Sequence, residues 1–234
     1  MTIKAVFFDL DDTLHDHQKP FSDTMERCFP DFSKDQSVTE LYKKLRHYSD
    51  IYWVNYTNNK MSLEELRIKR IISALKDFSY NISRSQAAKF QGEYDVALQQ
   101  ISLFKDVPQI LNSLKSNGFQ IGLITNGPVQ HQKNKIKALG LVQYFSTECI
   151  FISDEVGIAK PDPRLFELAA QKLSLSANEV LYVGDTWIND IIGPSKAGWN
   201  TVWFNHRMRE PETDHKPMKE IKSLSSLLTL LEIT

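Results

Sequence analysis

Hydrophobic positions along the chain fall into short unbroken runs separated by segments of helical spacing. Residues 3–8 are apolar at most positions and rich in β-branched and aromatic side chains. Such a run predicts a strand buried on both faces, and hence a parallel sheet covered by helices. Similar runs recur at 120–124, 149–152, 180–183 and 201–204. Between them, helical patterns cover 108–117, 129–139, 162–173 and 189–197. The first, second and last of these stop at Gly118, Gly140 and Gly198, since glycine accepts the left-handed backbone that closes a helix. The third starts among Pro161 and Pro163, which suit a first helical turn. The alternation predicts an α/β fold, a doubly wound parallel sheet of Rossmann-like type.

Residues 20–102 break that alternation. Segments 33–55, 62–78 and 83–100 carry apolar residues at helix spacing, and no strand is read between them. Ser62 followed by Glu65 forms the pattern of a capping box. The expected organisation is an α/β core of residues 1–17 and 103–234, interrupted by a helical cap of residues 18–102. A length of 234 residues, at about 150 residues per domain, fits one large domain or a core with an insert. Residues 206–218 are charged and contain prolines, which predicts a surface loop; residues 221–233 read as a terminal helix.

Charge narrows the function. Lys and Arg number 28 against 29 Asp and Glu, a formal net charge of −1. This argues against nucleic-acid binding through a basic surface and against polybasic membrane binding. The first apolar run turns acidic too soon for a signal peptide, and no segment approaches the roughly 20 apolar residues of a membrane span. Two cysteines, Cys28 and Cys149, cannot build a disulfide framework and fit a reducing, cytoplasmic setting.

In an open parallel sheet, functional groups gather at the carboxyl ends of the strands. Those ends carry Asp9, Asp11 and Asp12, then Thr125, Asn126 and Gly127, then Lys160 after a short loop, then Asp185 and Asp190. Clustered carboxylates repel one another unless a cation joins them. Their hard oxygens favour Mg²⁺, which takes a few carboxylates together with phosphate oxygens. Thr125 offers a hydroxyl, and the backbone N–H groups of Asn126 and Gly127 could meet phosphate. One aspartate can act as nucleophile, and another, two residues on, as acid and then base.

FFDLDDTL, LITNG, GIAKPDPRLF and VGDTWINDIIG, in that order, resemble the four motifs of the haloacid dehalogenase (HAD) superfamily of hydrolases. The helical insert resembles the cap of the subfamily whose cap enters after the first motif. The resemblance implies a Mg²⁺-dependent phosphatase that forms an aspartyl phosphate. Asp9 matches the nucleophile, and Asp11 the general acid/base, whose backbone carbonyl also meets the metal. Thr125 and Lys160 match phosphate-binding residues, Asn126 stands with them, and Asp185 and Asp190 match the acidic metal ligands of the fourth motif. A small phosphorylated metabolite, a nucleoside monophosphate or a sugar phosphate, is the expected substrate; a monomer and a homodimer fit equally. A phosphomutase, a 2-haloacid dehalogenase and a non-catalytic ligand-binding protein on the same fold are the rival readings, and Asp11 with the motif-four acids favours the phosphatase.

Other candidates receive plainer readings. Asp12 fixes its loop, Asp154 and Glu155 are loop residues, and His15 and His17 lie in the segment leading into the cap. Tyr52, Trp53 and Tyr56 pack within the helical insert, and Arg46 and Lys60 are solvated.

Overall fold

The computed structural model describes residues 3–233. The first strand, β1 (Ala5–Phe8), is buried along its whole length. A helical segment follows, with α1 (Gln18–Cys28), α2 (Pro30–Asp35), α3 (Val38–Thr57), α4 (Leu63–Lys76) and α5 (Arg84–Ala97). Then come α6 (Val107–Ser116), β2 (Gln120–Thr125), α7 (Val129–Ala138), β3 (Ile150–Ile152), α8 (Ser153–Val156) and α9 (Pro163–Lys172). The chain ends with β4 (Val180–Gly184), a π-type turn over Trp187–Ile192, α10 (Gly193–Lys196), β5 (Asn200–Phe204), β6 (Lys219–Ile221) and α11 (Ser226–Leu230).

Two compact units result. One comprises residues up to Asp16 and from Ile101 onward; the other is His17–Gln100. In the first, the strands form one parallel sheet in the order β3-β2-β1-β4-β5-β6. This is the expected α/β doubly wound arrangement. The order in which successive strands are laid down reverses between β1 and β4, the switch point at which such sheets bind ligands beyond the strand ends. On one face, Phe7, Phe151, Leu165, Phe166, Tyr182 and Trp199 pack into a continuous core. Gly122 stands opposite Phe7 across the β1–β2 ladder, and a Cβ there would lie 2.1 Å from the Phe7 ring. Only glycine leaves room for that ring.

The second unit is a helical bundle with its own core. Phe21 meets Phe90 and Tyr94 edge-on, and Phe32 meets Phe78 and Tyr80 in the same way, the geometry that aromatic quadrupoles prefer. Tyr52 donates to or accepts from Ser73 at 2.8 Å, and Trp53 lies against Tyr56, so these rings pack among the helices. Arg46 and Lys60 are exposed.

Three local expectations need correction. The helix expected at 33–55 is two, because Gln36 and Ser37 adopt extended backbone and Ser37 caps α3 by accepting the Glu40 N–H. The reciprocal capping box forms at Ser83 and Gln86; at Ser62 the hydroxyl caps Glu65 N–H, while the Glu65 carboxylate pairs with Lys69. Finally, Ile221, expected to start the terminal helix, ends the edge strand β6 (Lys219–Ile221), and the helix shrinks to α11. An edge strand of three residues, two of them exposed and charged, carries no apolar signal in the sequence.

Candidate active site at the strand ends

Asp9 continues β1 beyond its last ladder residue, its N–H donating to the Val183 carbonyl at 2.9 Å. The chain then turns tightly, with Leu14 N–H returning to the Leu10 carbonyl at 3.0 Å. Asp12 sits in that turn at φ +63°, a left-handed conformation that Asp tolerates better than most residues. Its carboxylate is buried against the Arg207 guanidinium at 2.6 Å, and its carbonyl lies 3.0 Å from His206 Nε2. Asp12 is thus an anchor of the loop.

Lys160 is the centre of the site. Its ammonium donates to Asp9 Oδ1 at 2.6 Å, to Asp190 Oδ1 at 2.7 Å and to the Tyr182 hydroxyl at 2.9 Å. These use all three of its hydrogens. The Tyr182 hydroxyl donates onward to the Ile124 carbonyl at 3.0 Å. The Lys160 backbone is held as well: Asn126 Nδ2 donates to its carbonyl and Asn126 Oδ1 accepts its N–H, both at 2.9 Å. The Asn126 side chain therefore places Lys160, and its own N–H is the group left to consider for phosphate. Gly127 N–H, expected to meet phosphate, instead donates to Ser153 Oγ at 2.9 Å. Thr125 is buried and accepts from Gln132 Nε2 at 2.8 Å. Asp154 and Glu155 are exposed, and Glu155 pairs with Lys133.

At the end of β4, Asp185 accepts from Arg209 Nη1 at 2.9 Å, while its carbonyl accepts from the Trp203 indole at 2.9 Å. Asp190 comes from the π-type turn, a local widening frequent at functional sites. Its Oδ2 accepts the Thr186 N–H at 2.9 Å. Gly184 permits this approach, since a Cβ there would lie 2.4 Å from Asp190 Cγ. Trp187 packs on Trp203 and donates to Thr213 at 2.8 Å.

These carboxylates strain against one another. Burial pushes the Asp9 carboxyl up to about 6; Lys160 opposes this, and Asp190 and Asp11 add to it. Burial, with Asp12, Asp190 and Asp9 nearby, also holds Asp185 well above its usual range, against the pull of Arg209. For Lys160 burial works downward, but the charges of Asp190 and Asp9 outweigh it and keep the ammonium form. Asp9, Asp185 and Asp190, all buried, each present an oxygen within 4.8 Å of the others. An all-oxygen set with excess negative charge suits a hard divalent cation such as Mg²⁺.

Asp11 faces elsewhere. Its carboxylate meets the Lys135 ammonium with both oxygens, at 2.6 Å through Oδ1, and His15 Nε2 lies 2.9 Å from Oδ1. His15, read as part of the segment leading into the cap, meets Asp11; Gln132, Lys135, Tyr182, Ser153, Arg207 and Arg209 were not legible as site residues. For Lys135 and Gln132 a signal existed: they share the helical face of Ile136 and Leu139, the face that turns inward.

Comparison with known proteins gives a consistent relation. The sequence pattern of haloacid dehalogenase-like hydrolases matches residues 3–198. The chain is 30% identical over 220 residues to a glyceraldehyde 3-phosphate phosphatase of Methanopyrus kandleri, covering 91% of this chain and 89% of the relative. It is 30% identical over 230 residues to the pyrimidine 5'-nucleotidase YjjG of Escherichia coli, covering 97% and 96%. Among solved structures, the HAD-hydrolase YfnB of Bacillus subtilis, bound to magnesium, superposes with a TM-score of 0.76 at 25% identity over the whole of both chains.

Proposed function

The chain belongs to the haloacid dehalogenase-like hydrolases, and from that premise we propose that it is a Mg²⁺-dependent phosphatase working through an aspartyl phosphate on Asp9. The observation that carries this reading is the joining of Asp9 and Asp190 by one buried lysine beside Asp185. Its relatives include enzymes named for a triose phosphate and for pyrimidine nucleotides. A small phosphate monoester, a sugar phosphate or a nucleoside monophosphate, is the substrate class.

Asp9 and Asp185, with Asp190 beside them, would hold a Mg²⁺ ion, which would supply positive charge against the oxygens of the transferring phosphoryl group. Lys160 holds the Asp9 carboxylate through Oδ1, which leaves Oδ2 as the attacking oxygen, with Thr13 Oγ1 3.3 Å away. The Thr125 hydroxyl and the Asn126 N–H orient the phosphoryl oxygens. Oδ2 bonds to phosphorus as the bond to the leaving oxygen breaks, and Asp11 gives that oxygen its proton. Asp11, now a carboxylate, takes a proton from water as the water oxygen attacks phosphorus. The Asp9–phosphorus bond then breaks, its electron pair returns to Asp9, and inorganic phosphate leaves.

No helix among the described residues is long and apolar enough to cross a membrane. Both cysteines are free, in keeping with the proposed cytoplasmic setting. The test is phosphate release from a panel of nucleoside monophosphates, sugar phosphates and p-nitrophenyl phosphate, in Mg²⁺ and in EDTA, with Asp9→Asn as control. Release that needs Mg²⁺ and vanishes in the variant is expected. Release that persists in EDTA or in Asp9→Asn would overturn the mechanism.

A further inference from the structure

Helix α7 is polar along most of its length, yet it turns Gln132, Lys135 and Ile136 inward. Lys135 is 2% exposed. A buried ammonium is retained where a partner fits it closely, and the partner here is the Asp11 carboxylate, engaged through both oxygens. Helical side chains lean back toward the helix N-terminus. Lys135 therefore reaches back along α7 toward the end of β2, where Thr125 and Asn126 stand. Gln132, one turn earlier, ties the same helix to that strand end: its Nε2 donates to Thr125 Oγ1 at 2.8 Å and to the Asn126 carbonyl at 2.5 Å, and lies 3.5 Å from Asp11 Oδ2. His15 meets Asp11 from the side of its own loop. The Asp11 carboxylate is thus held from two directions while remaining partly exposed at the rim of the site.

We propose that Lys135 is a positioning residue that fixes the Asp11 carboxyl for proton transfer, with Gln132 locking α7 to the phosphate-binding loop. The proposal rests on the phosphatase reading above. Asp11 ends the first step, and begins the second, as a carboxylate. The Lys135 ammonium complements that form and holds one rotamer, so the proton leaves toward the departing oxygen rather than toward bulk water. Lys135 touches neither phosphorus nor the leaving group; it acts through Asp11.

A leaving-group series separates this role from phosphate binding and from general support of the fold. Substituted phenyl phosphates from p-nitro to p-methoxy vary the need for a proton while leaving the phosphoryl group unchanged. kcat/KM reports the steps up to departure of the phenol. For Lys135→Met, kcat/KM should fall only a few-fold for the p-nitro ester, whose phenolate leaves unaided. For the p-methoxy ester it should fall by about 10²-fold, the scale of general-acid catalysis. Thermal melting accompanies each assay; if the Met variant does not fold, Lys135→Gln, a neutral donor, is read instead and should show the same trend with a narrower gap. An equal fall across the series, as loss of a phosphate ligand would give, or no fall at all, would overturn the role. Wild-type protein inactive toward every ester would remove the phosphatase reading and Lys135's role together, a pattern distinct from a uniform loss in the variant.

Discussion

At the scale of single residues, Asp9 shows function held at the expense of stability. Burial raises its carboxyl from the ordinary 3.8 to about 6, even with Lys160 at 2.6 Å. A carboxyl whose folded pKa is raised binds its proton more tightly when folded. Its stabilising contribution is therefore complete below about pH 4 and is lost as pH rises through about 6. The difference corresponds to about 3 kcal/mol. In metal-free buffer at pH 8, Asp9→Asn should thus melt higher than the wild type, while losing turnover. The advantage should fade towards pH 4. Thermal unfolding in EDTA across this range checks it; a variant that melts no higher at pH 8 would mean that the lost pairing with Lys160 outweighs the relief of burial. Tyr182 gives the opposite case. Its hydroxyl accepts from Lys160 and donates to the Ile124 carbonyl. Tyr182→Phe leaves one buried donor and one buried acceptor unpaired, and should cost about 1–3 kcal/mol in urea unfolding.

At the scale of elements, the π-type turn after β4 exists to bring Asp190 back against the strand end. Gly184 is the space it uses. Gly184→Ala places a methyl 2.4 Å from Asp190 Cγ, so the carboxylate, and with it Lys160 Nζ, must shift. A loss of kcat of about 10²-fold is expected, because misplacement by about 1 Å is enough for that, with the secondary structure intact by circular dichroism. An alanine variant with full turnover would show that the turn relaxes without moving Asp190. The elements also show what a sequence discloses. The core strands were legible because each is an apolar run buried on both faces, Asp9 and Asp185 because they follow such runs directly, and Lys160 because it comes a short loop after another. β6 was not, since two of its three residues are exposed charges. The break between α2 and α3 depends on the extended backbone of two polar residues, Gln36 and Ser37. Tyr182 was hidden for another reason: a tyrosine inside an apolar strand looks like core until the sheet order brings it to the switch point, whereas Lys135 left one faint sign, its place on the inward face of the polar helix α7.

At the scale of the whole molecule, the acidic triangle couples metal binding to the stability of the α/β unit. Asp9, Asp185 and Asp190 come from β1 and from the end of β4, neighbours in space that are far apart in sequence. An unfolded chain cannot present them together, so a cation that binds them binds only the folded form. Mg²⁺ at a hundred times its dissociation constant should then add about 2.7 kcal/mol. At roughly 2–4 °C per kcal/mol for a chain of this size, the melting temperature should rise by about 5–11 °C. Asp185→Asn removes one corner of the triangle without touching Lys160, and should abolish the rise. Asp11→Asn should keep it, because the Asp11 carboxylate is turned to Lys135 and His15 rather than to the triangle, while turnover is lost. The pair of variants therefore separates metal holding, at the end of β4, from proton transfer, in the loop after β1. If Asp11→Asn also abolished the thermal response, its side chain would be a metal ligand, and the division between triangle and Lys135 would fall.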